Sequence, residues 1–387
     1  MENSRPQMLE IIDRIDHSKT ISLVRNMIRI PTENPPGDEE PLCFFLKDIC
    51  ESLGMETRII YFDNKKRPSL FAKLSGAKNT LYFFNGHLDT VPCGRRDVWS
   101  IDPYEGLVKN GKVYGRGACD MKSALASMLT AIETVVNNVD QLNSTWAFTA
   151  VSDEEDLGRG TKALISSGLL NEAAFGIIGE PTNLEVVTAH RGNVWLEIEA
   201  RGTAAHGSTP GLGRNAILAV CKLLRELERI KWGRGVSINV GTINGGIKIN
   251  IVPDFCKLTL DIRYPPGGDP DLLVEKVKKT LNKISESDYP IEFNLGELQR
   301  RVPLNVSTKL PIIQKAVAIV SKILNRKIKP ISMPYTTDAS FFVQHMGVPL
   351  IIFGPGKPEL AHALNEYVDI EMMKVATEVY TALMLSI

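Results

Sequence analysis

The stretch Val151-Ser152-Asp153-Glu154-Glu155-Asp156-Leu157-Gly158 sets a run of carboxylates directly after the apolar segment Thr145-Trp146-Ala147-Phe148-Thr149-Ala150. That segment has the β-branched and aromatic content of a buried strand, so the acids gather where a strand leaves the core. Such strand ends favour active sites in α/β proteins. Adjacent side chains there point in different directions, so Glu154 and Glu155 can do two jobs in one pocket, one binding a metal and the other moving a proton. A solvated acidic loop would read the same way in isolation.

The same arrangement recurs along the chain. An apolar segment at 81–84 runs into Asn85-Gly86-His87-Leu88-Asp89-Thr90-Val91-Pro92. A carboxylate beside a His ligand fixes its tautomer and raises its basicity, which gives Asp89 a role toward His87. Asp120 lies in Gly115-Arg116-Gly117-Ala118-Cys119-Asp120-Met121-Lys122, at the expected entrance of a helix, where a helix N-cap is the plain alternative. Glu180 ends the buried strand at 175–178, and His362 follows the apolar strand at 348–353. Five ligand-type groups (His87, Asp120, Glu155, Glu180 and His362) are too many for one tetrahedral ion. They suit two ions sharing a carboxylate, the arrangement of hydrolytic sites whose metals stand about 3.5–4 Å apart.

The elements that must position these groups follow from periodicity. Helices are expected over 18–30, 42–53, from 121 onward, 160–170 and 310–324, alternating with strands that are apolar throughout. Asn110-Gly111 marks a hairpin. From about residue 189 the texture changes: residues 193–200 alternate strictly, as in a sheet with one wet face. Helices over 215–230 and 269–285 and strands over 236–244, 257–264 and near 291 complete an α+β unit. The expected division is therefore 1–188 with 303–387, and an insert at 189–302. The fold class is α/β with a mixed central sheet flanked by helices, plus an inserted α+β domain with an antiparallel sheet.

The chain has 387 residues, ample for two domains. Its 45 basic residues balance 45 acidic ones, which gives no argument for nucleic acid or an anionic membrane as partner. No apolar run approaches the roughly 20 residues of a membrane span, and residues 1–6 do not read as a signal peptide, so a cytoplasmic location is expected. Six cysteines are scattered without a Cys-x-x-Cys pair, so any metal is expected on His and carboxylate.

Taken together, Gly86-His87-Leu88-Asp89-Thr90-Val91-Pro92, Gly115-Arg116-Gly117 with Asp120-Met121-Lys122, Asp153-Glu154-Glu155, Gly179-Glu180-Pro181-Thr182, and Ala361-His362 with Asn365-Glu366 give the chain a clear likeness. It resembles the zinc metallopeptidase and amidohydrolase family of acetylornithine deacetylase, succinyl-diaminopimelate desuccinylase, aminoacylase and carboxypeptidase G. The resemblance implies a zinc-dependent exopeptidase-like catalytic domain with two zinc ions per chain, cobalt or manganese being able to substitute. Asp120 would bridge, with a cis peptide between Asp120 and Met121. His87 and Glu180 would serve one ion, and Glu155 and His362 the other. Glu154 would be the general base and Asp89 the orienter of His87. In the insert, Gly202-Thr203-Ala204-Ala205-His206-Gly207-Ser208-Thr209-Pro210 resembles the family's lid, whose His stabilises the oxyanion. Asn250 and Arg263 match substrate-contacting lid positions, with Arg191 and Thr337 as weaker candidates. His17, His190 and His345 match nothing catalytic.

The implied activity is hydrolysis of the amide bond of an N-acylated amino acid in amino-acid biosynthesis, by a homodimer joined through the lid. A metallocarboxypeptidase or dipeptidase is the alternative within the family, acting on short peptides. A non-catalytic homologue is the alternative outside it, and the complete set of ligands and base argues against that. Two departures from the family pattern bear on substrate: Cys119 before the bridging Asp, and the basic loop Arg95-Arg96-Asp97.

Overall fold

A computed structural model describes residues 4–62, 67–286 and 291–387. Residues 1–3 of the opening stretch, weighed above for a signal peptide, lie outside the described residues. Two compact units form: Met1–Ala189 with Asn305–Ser332 and Thr337–Ile387, and His190–Leu304 with Met333–Thr336.

The first unit is built on a nine-stranded mixed sheet. Its first six strands, in spatial order, are Glu56–Phe62, Arg67–Leu74, Ser144–Val151, Lys78–His87, Ala173–Ile178 and Leu350–Ile352. The last four run parallel to one another. Their carboxyl ends therefore share one edge, with His87 level with Val151 and Asn85 level with Ile178. Strand Ser144–Val151, parallel to one neighbour and antiparallel to the other, is buried at every residue, as expected where a sheet is covered on both faces. Helices Ser123–Asn138 and Ile370–Ser386 contribute Leu125, Leu129, Ile132, Val379, Tyr380 and Leu383 to one core with Phe84 and Trp146. Tyr380 stands edge-on to Phe84 and to Phe353, and its hydroxyl donates to the Phe353 carbonyl at 2.6 Å, so the ring buries no orphaned polar atom.

Three local features differ from, or sharpen, the sequence reading. The helix expected from Met121 begins at Ser123. Residues 118–122 instead form an irregular turn in which Asp120 and Met121 leave helical geometry, and Asp120 is not the N-cap of that helix. The Asp120–Met121 peptide is cis. Strand Lys78–His87 ends at His87, so Asp89 lies beyond it. In the hairpin Leu107–Lys109 and Lys112–Tyr114, Asn110 and Gly111 both have positive φ (51° and 73°), the requirement of a type I′ turn.

The second unit is a four-stranded antiparallel sheet in the order Ser237–Gly245, Phe255–Tyr264, Gly192–Arg201, Glu292–Arg301. Alternate residues Val194, Leu196, Ile198, Leu258, Leu260 and Ile262 pack with Val220, Leu223, Val277 and Leu281 of helices Ala216–Glu228 and Pro270–Ser285. Asn215 and Asp269 cap those helices through their side-chain oxygens. Strand Ser237–Gly245 is exposed along nearly its whole length and forms an edge of the sheet.

Candidate metal centre

All five ligand-type residues and Glu154 converge in the first unit: His87, Glu154, Glu155, Glu180 and His362 at or beyond the shared strand edge, and Asp120 in the irregular turn at 118–122. His87 is the last residue of its strand. Its Nδ1 lies 2.8 Å from the Asp89 carbonyl, which can only accept, so Nδ1 keeps its hydrogen and Nε2 is left to face the carboxylates. Nε2 stands 3.0 Å from Asp120 Oδ1 and 3.9 Å from Glu180 Oε1. His362, held at φ 62°, places Nε2 3.0 Å from Glu155 Oε1 and 3.3 Å from Asp120 Oδ2. Asp120 thus offers one oxygen to each imidazole. His87, Asp120 and Glu155 present ligand atoms within 4.8 Å of one another, and so do His87, Glu154 and Glu180.

The electrostatics fit a cation. Burial pushes Glu180 well above the usual carboxylate range and raises Glu155, and the nearby Asp120 charge adds to both. Burial also works against an ionised Asp120, but bonds from His362 and His87 hold it well below its usual range. The same bonds to Asp120 and Glu155 push His362 up to about 11. Burial opposes a charge on His87, yet Asp120 and Glu180 raise its proton affinity well above normal. Protons shared between imidazoles and carboxylates stand where positive charge is needed. The nitrogen and oxygen donor set suits zinc, cobalt or manganese.

Two turns carry these groups, and each is held by a buried carboxylate. Glu366 accepts from Arg116 Nη1 (2.7 Å) and from the amides of Gly117 (3.1 Å), Cys119 (2.7 Å) and Asp120 (3.0 Å), fixing the backbone that presents Asp120. Asp89 accepts the amides of Glu154 and Glu155, both at 3.1 Å. Its carboxylate oxygen is 3.8 Å from His87 Nδ1, so Asp89 orients the imidazole through its carbonyl and the acidic turn through its side chain. Burial pushes that carboxyl up to about 7. The sequence motifs contain Glu366 and Arg116 but give them no role. Asn34 and Arg67 reach the acidic turn and Glu39 reaches Arg67; Asn34 and Glu39 carry no signal beyond the Asn-Pro-Pro-Gly-Asp-Glu string at 34–39, and Arg67 carries none.

The remaining candidates stand elsewhere. Thr337 is buried in the first unit, where its hydroxyl accepts the Ala339 amide. His206, Asn250, Arg263 and Arg191 belong to the second unit. There the Gly207 amide donates to the Asn250 carbonyl at 2.9 Å, which brings the His206 and Asn250 segments side by side. His206 Nδ1 accepts the Ser208 amide at 3.1 Å, so a neutral His206 carries its hydrogen on Nε2. Arg263 donates to Asp261 and to Thr336 Oγ1, each at 2.9 Å, and Arg191 to Ser237 Oγ at 3.2 Å. Cys119 is buried, with Sγ 3.3 Å from the Lys357 carbonyl, and fills the place of a small inert residue. The loop that reads as basic is locally neutralised: Arg95 pairs with Asp97 and Arg96 with Asp102.

Comparison with known proteins bears on the whole arrangement. Peptidase family M20/M25/M40 matches residues 83–386. The chain is 29% identical over 388 residues to a probable succinyl-diaminopimelate desuccinylase of Staphylococcus aureus, covering 91% of this chain and 93% of that protein. A di-peptidase from Saccharomyces cerevisiae shares the fold with a TM-score of 0.82 at 14% identity, over 100% of this chain and 99% of that one. A dinuclear metal-binding peptidase of the M20 family from Bacillus subtilis does so with a TM-score of 0.71 at 15% identity, over 95% and 97%. The chain belongs to peptidase family M20/M25/M40 and is a metal-dependent hydrolase of amide bonds.

Proposed function

We propose that the chain removes an acyl group from an N-acylated amino acid of the succinyl-diaminopimelate or acetylornithine type, with Glu154 as general base. The observation that carries the reading is Asp120, whose two oxygens face two different imidazoles, His87 at 3.0 Å and His362 at 3.3 Å. In this reading His87, Glu180 and Asp120 hold one divalent cation, and Asp120, Glu155 and His362 hold the second. Bound there, zinc supplies Lewis acidity toward an amide carbonyl and toward a water. Glu154 stands beside His87 and Glu180 but outside that five-residue set. It takes one proton of the attacking water and passes it to the departing amine, so amide and water become a carboxylic acid and an amine, and transfer of the acid's remaining proton to the amine leaves carboxylate and ammonium.

The second unit serves as lid and dimerisation surface in this reading. The Nε2 hydrogen of His206 is the donor for the oxyanion, and Arg263, Asn250, Arg191 and Thr337 grip the substrate, a guanidinium suiting a carboxylate through paired bonds. Homodimerisation is supported by the exposed edge strand Ser237–Gly245 and by Ile247 and Ile249, which stand 85% and 102% exposed beside it. Among the described residues no helix is long and apolar enough to cross a membrane.

Parallel assays of N-succinyl-diaminopimelate, N-acetylornithine, other N-acyl amino acids and dipeptides, with zinc, cobalt or manganese added, test the substrate class. Release of free amine from an acylated amino acid is the expected result. Preferential cleavage of dipeptides moves the assignment to a dipeptidase, and no cleavage of any of them overturns the reading.

A further inference from the structure

We propose that Arg67 is a positioning residue: it locks the turn that carries Glu154 and so sets turnover without binding substrate or metal. The proposal rests on the reading of Glu154 as general base. Arg67 opens strand Arg67–Leu74 and is 5% exposed. Its Nε donates to Glu39 Oε2 at 3.0 Å and its Nη2 to Glu39 Oε1, while Nη1 donates to Asp153 Oδ1 at 2.8 Å. Both carboxylates are fully buried. A buried ion pair is weak support for stability, since well-packed apolar residues often do as well, so what the pair touches is the informative part.

It touches the residue before the base. Asp153 has φ 70°, a left-handed conformation that a side chain other than glycine keeps only when its surroundings over-determine it. Those surroundings are explicit. Oδ1 accepts from Arg67, from Arg159 Nη2 (2.9 Å) and from Asn34 Nδ2 (3.2 Å). Oδ2 accepts from Arg159 Nε (2.7 Å), and the Asp153 carbonyl accepts the Gly158 amide (2.6 Å). Asn34 Nδ2 also reaches Asp89 Oδ2 at 2.9 Å, and Asp89 holds the amides of Glu154 and Glu155. The turn is thus pinned through the side chain of residue 153 and through the backbone of 154 and 155, with Arg67 anchoring the first pin to Glu39. Arg159 is half-exposed and cannot replace that interior anchor.

The place is shaped for a guanidinium. A Cβ on Gly37, itself at φ 85°, would come within 2.2 Å of Arg67 Cζ. The planar fork serves Glu39 and Asp153 at once and fixes their separation, whereas an ammonium is a single point of charge. Losing the fork frees Asp153 to relax toward an ordinary backbone conformation and carries the Glu154 carboxylate with it. A shift of about 1 Å in a catalytic group can cost on the order of 10²-fold.

The test is a double-mutant cycle on the full chain loaded with zinc, using whichever acyl amino acid the assays above identify. Arg67→Lys is expected to lower kcat by roughly tenfold or more, with KM within about twofold and metal content unchanged. In the Glu154→Gln background the same change is expected to cost less than about twofold, because there is no longer a base to misplace. Losses that multiply, a kcat that does not fall, or a loss that tracks metal content or KM overturn the proposal. Glu154→Gln alone checks the parent reading: if it leaves turnover intact, the base assignment fails, and additivity beside a crippled Glu154→Gln sinks the positioning role alone. Should Arg67→Lys not fold, Asp153→Asn enters the same cycle with the same expected non-additivity, and multiplying losses overturn the proposal equally.

Discussion

The metal centre of the first unit and the buried His190 of the second treat charge in opposite ways. The metal centre and the turns around it compensate it: Asp120, Glu155 and Glu180 meet His87 and His362, Glu366 meets Arg116 and three amides, and Glu39 and Asp153 meet Arg67. The second unit, where it buries an imidazole, suppresses the charge instead: His190 is fully buried and its proton affinity is pushed down to about 4. Compensation creates a place where a cation belongs and chemistry can be run. Suppression leaves a buried imidazole neutral. Each can be broken separately.

The largest effect comes from removing the cation that the first unit's charges call for. Exhaustive chelation should abolish amide hydrolysis, and readdition of zinc, cobalt or manganese should restore it, with elemental analysis finding up to two ions per chain. Activity persisting at full rate after chelation would sink the two-ion reading. Next is the division between neighbouring acids. Glu154→Gln should lower turnover on the order of 10²-fold or more with metal retained, as for loss of a general base. Glu155→Gln should instead weaken metal binding. The opposite pattern would exchange their roles.

A smaller effect is expected from Glu366→Gln. The amide has one acceptor oxygen where four donors converge, and it leaves Arg116 without its buried anion. Breaking a buried ion pair by removing one partner costs about 3–5 kcal/mol, and outer groups of this kind typically alter metal affinity by about 10–100-fold. Chemical unfolding midpoints and zinc titration of the variant measure the two consequences. An unchanged midpoint would show that the four donors find other acceptors.

Much of the first unit's site was legible because its chemistry sits at strand ends, where apolar runs stop abruptly on His87, Glu154 and Glu180. What was not legible lies in partners that meet only after folding. Arg67 and Asp153 are separated by a run of strands and helices, and nothing local in either marks the pair. The helix Ile370–Ser386 escaped periodicity for a different reason. It is buried on most sides from Met373 to Met384, so it shows no polar face to set off an apolar stripe. Its buried Thr377 and Thr381 read as polar breaks, yet each hydroxyl donates to the carbonyl four residues earlier at 2.8 Å and costs the core no unmet donor. The irregular turn at 118–122 hid behind an N-cap reading because Asp before an apolar helix is the usual capping signal.

The smallest predicted effect tests suppression in the second unit. Burial first, and then repulsion from the Arg301 and Arg263 guanidiniums, keeps His190 neutral down to about pH 4, against an ordinary value of 6.5. Its Nδ1 hydrogen is used by the Arg191 carbonyl at 2.8 Å, so the neutral ring is partnered and only the added proton is unwelcome. The unfolded chain takes up that proton near pH 6.5 and the folded chain only near pH 4, so between these values the unfolded state binds more protons. Stability must then rise with pH across that window. The contribution is fully present above about pH 6.5, lost by about pH 4, and at most about 3 kcal/mol in total. His190→Asn keeps a donor for the Arg191 carbonyl and removes the titration. Denaturant unfolding from pH 4 to 7.5, followed by tryptophan fluorescence, should give a steeper pH slope for the wild-type chain than for His190→Asn, with the difference confined to that window. Parallel slopes would mean that the second unit does not hold His190 neutral, and the contrast between the two units would fail.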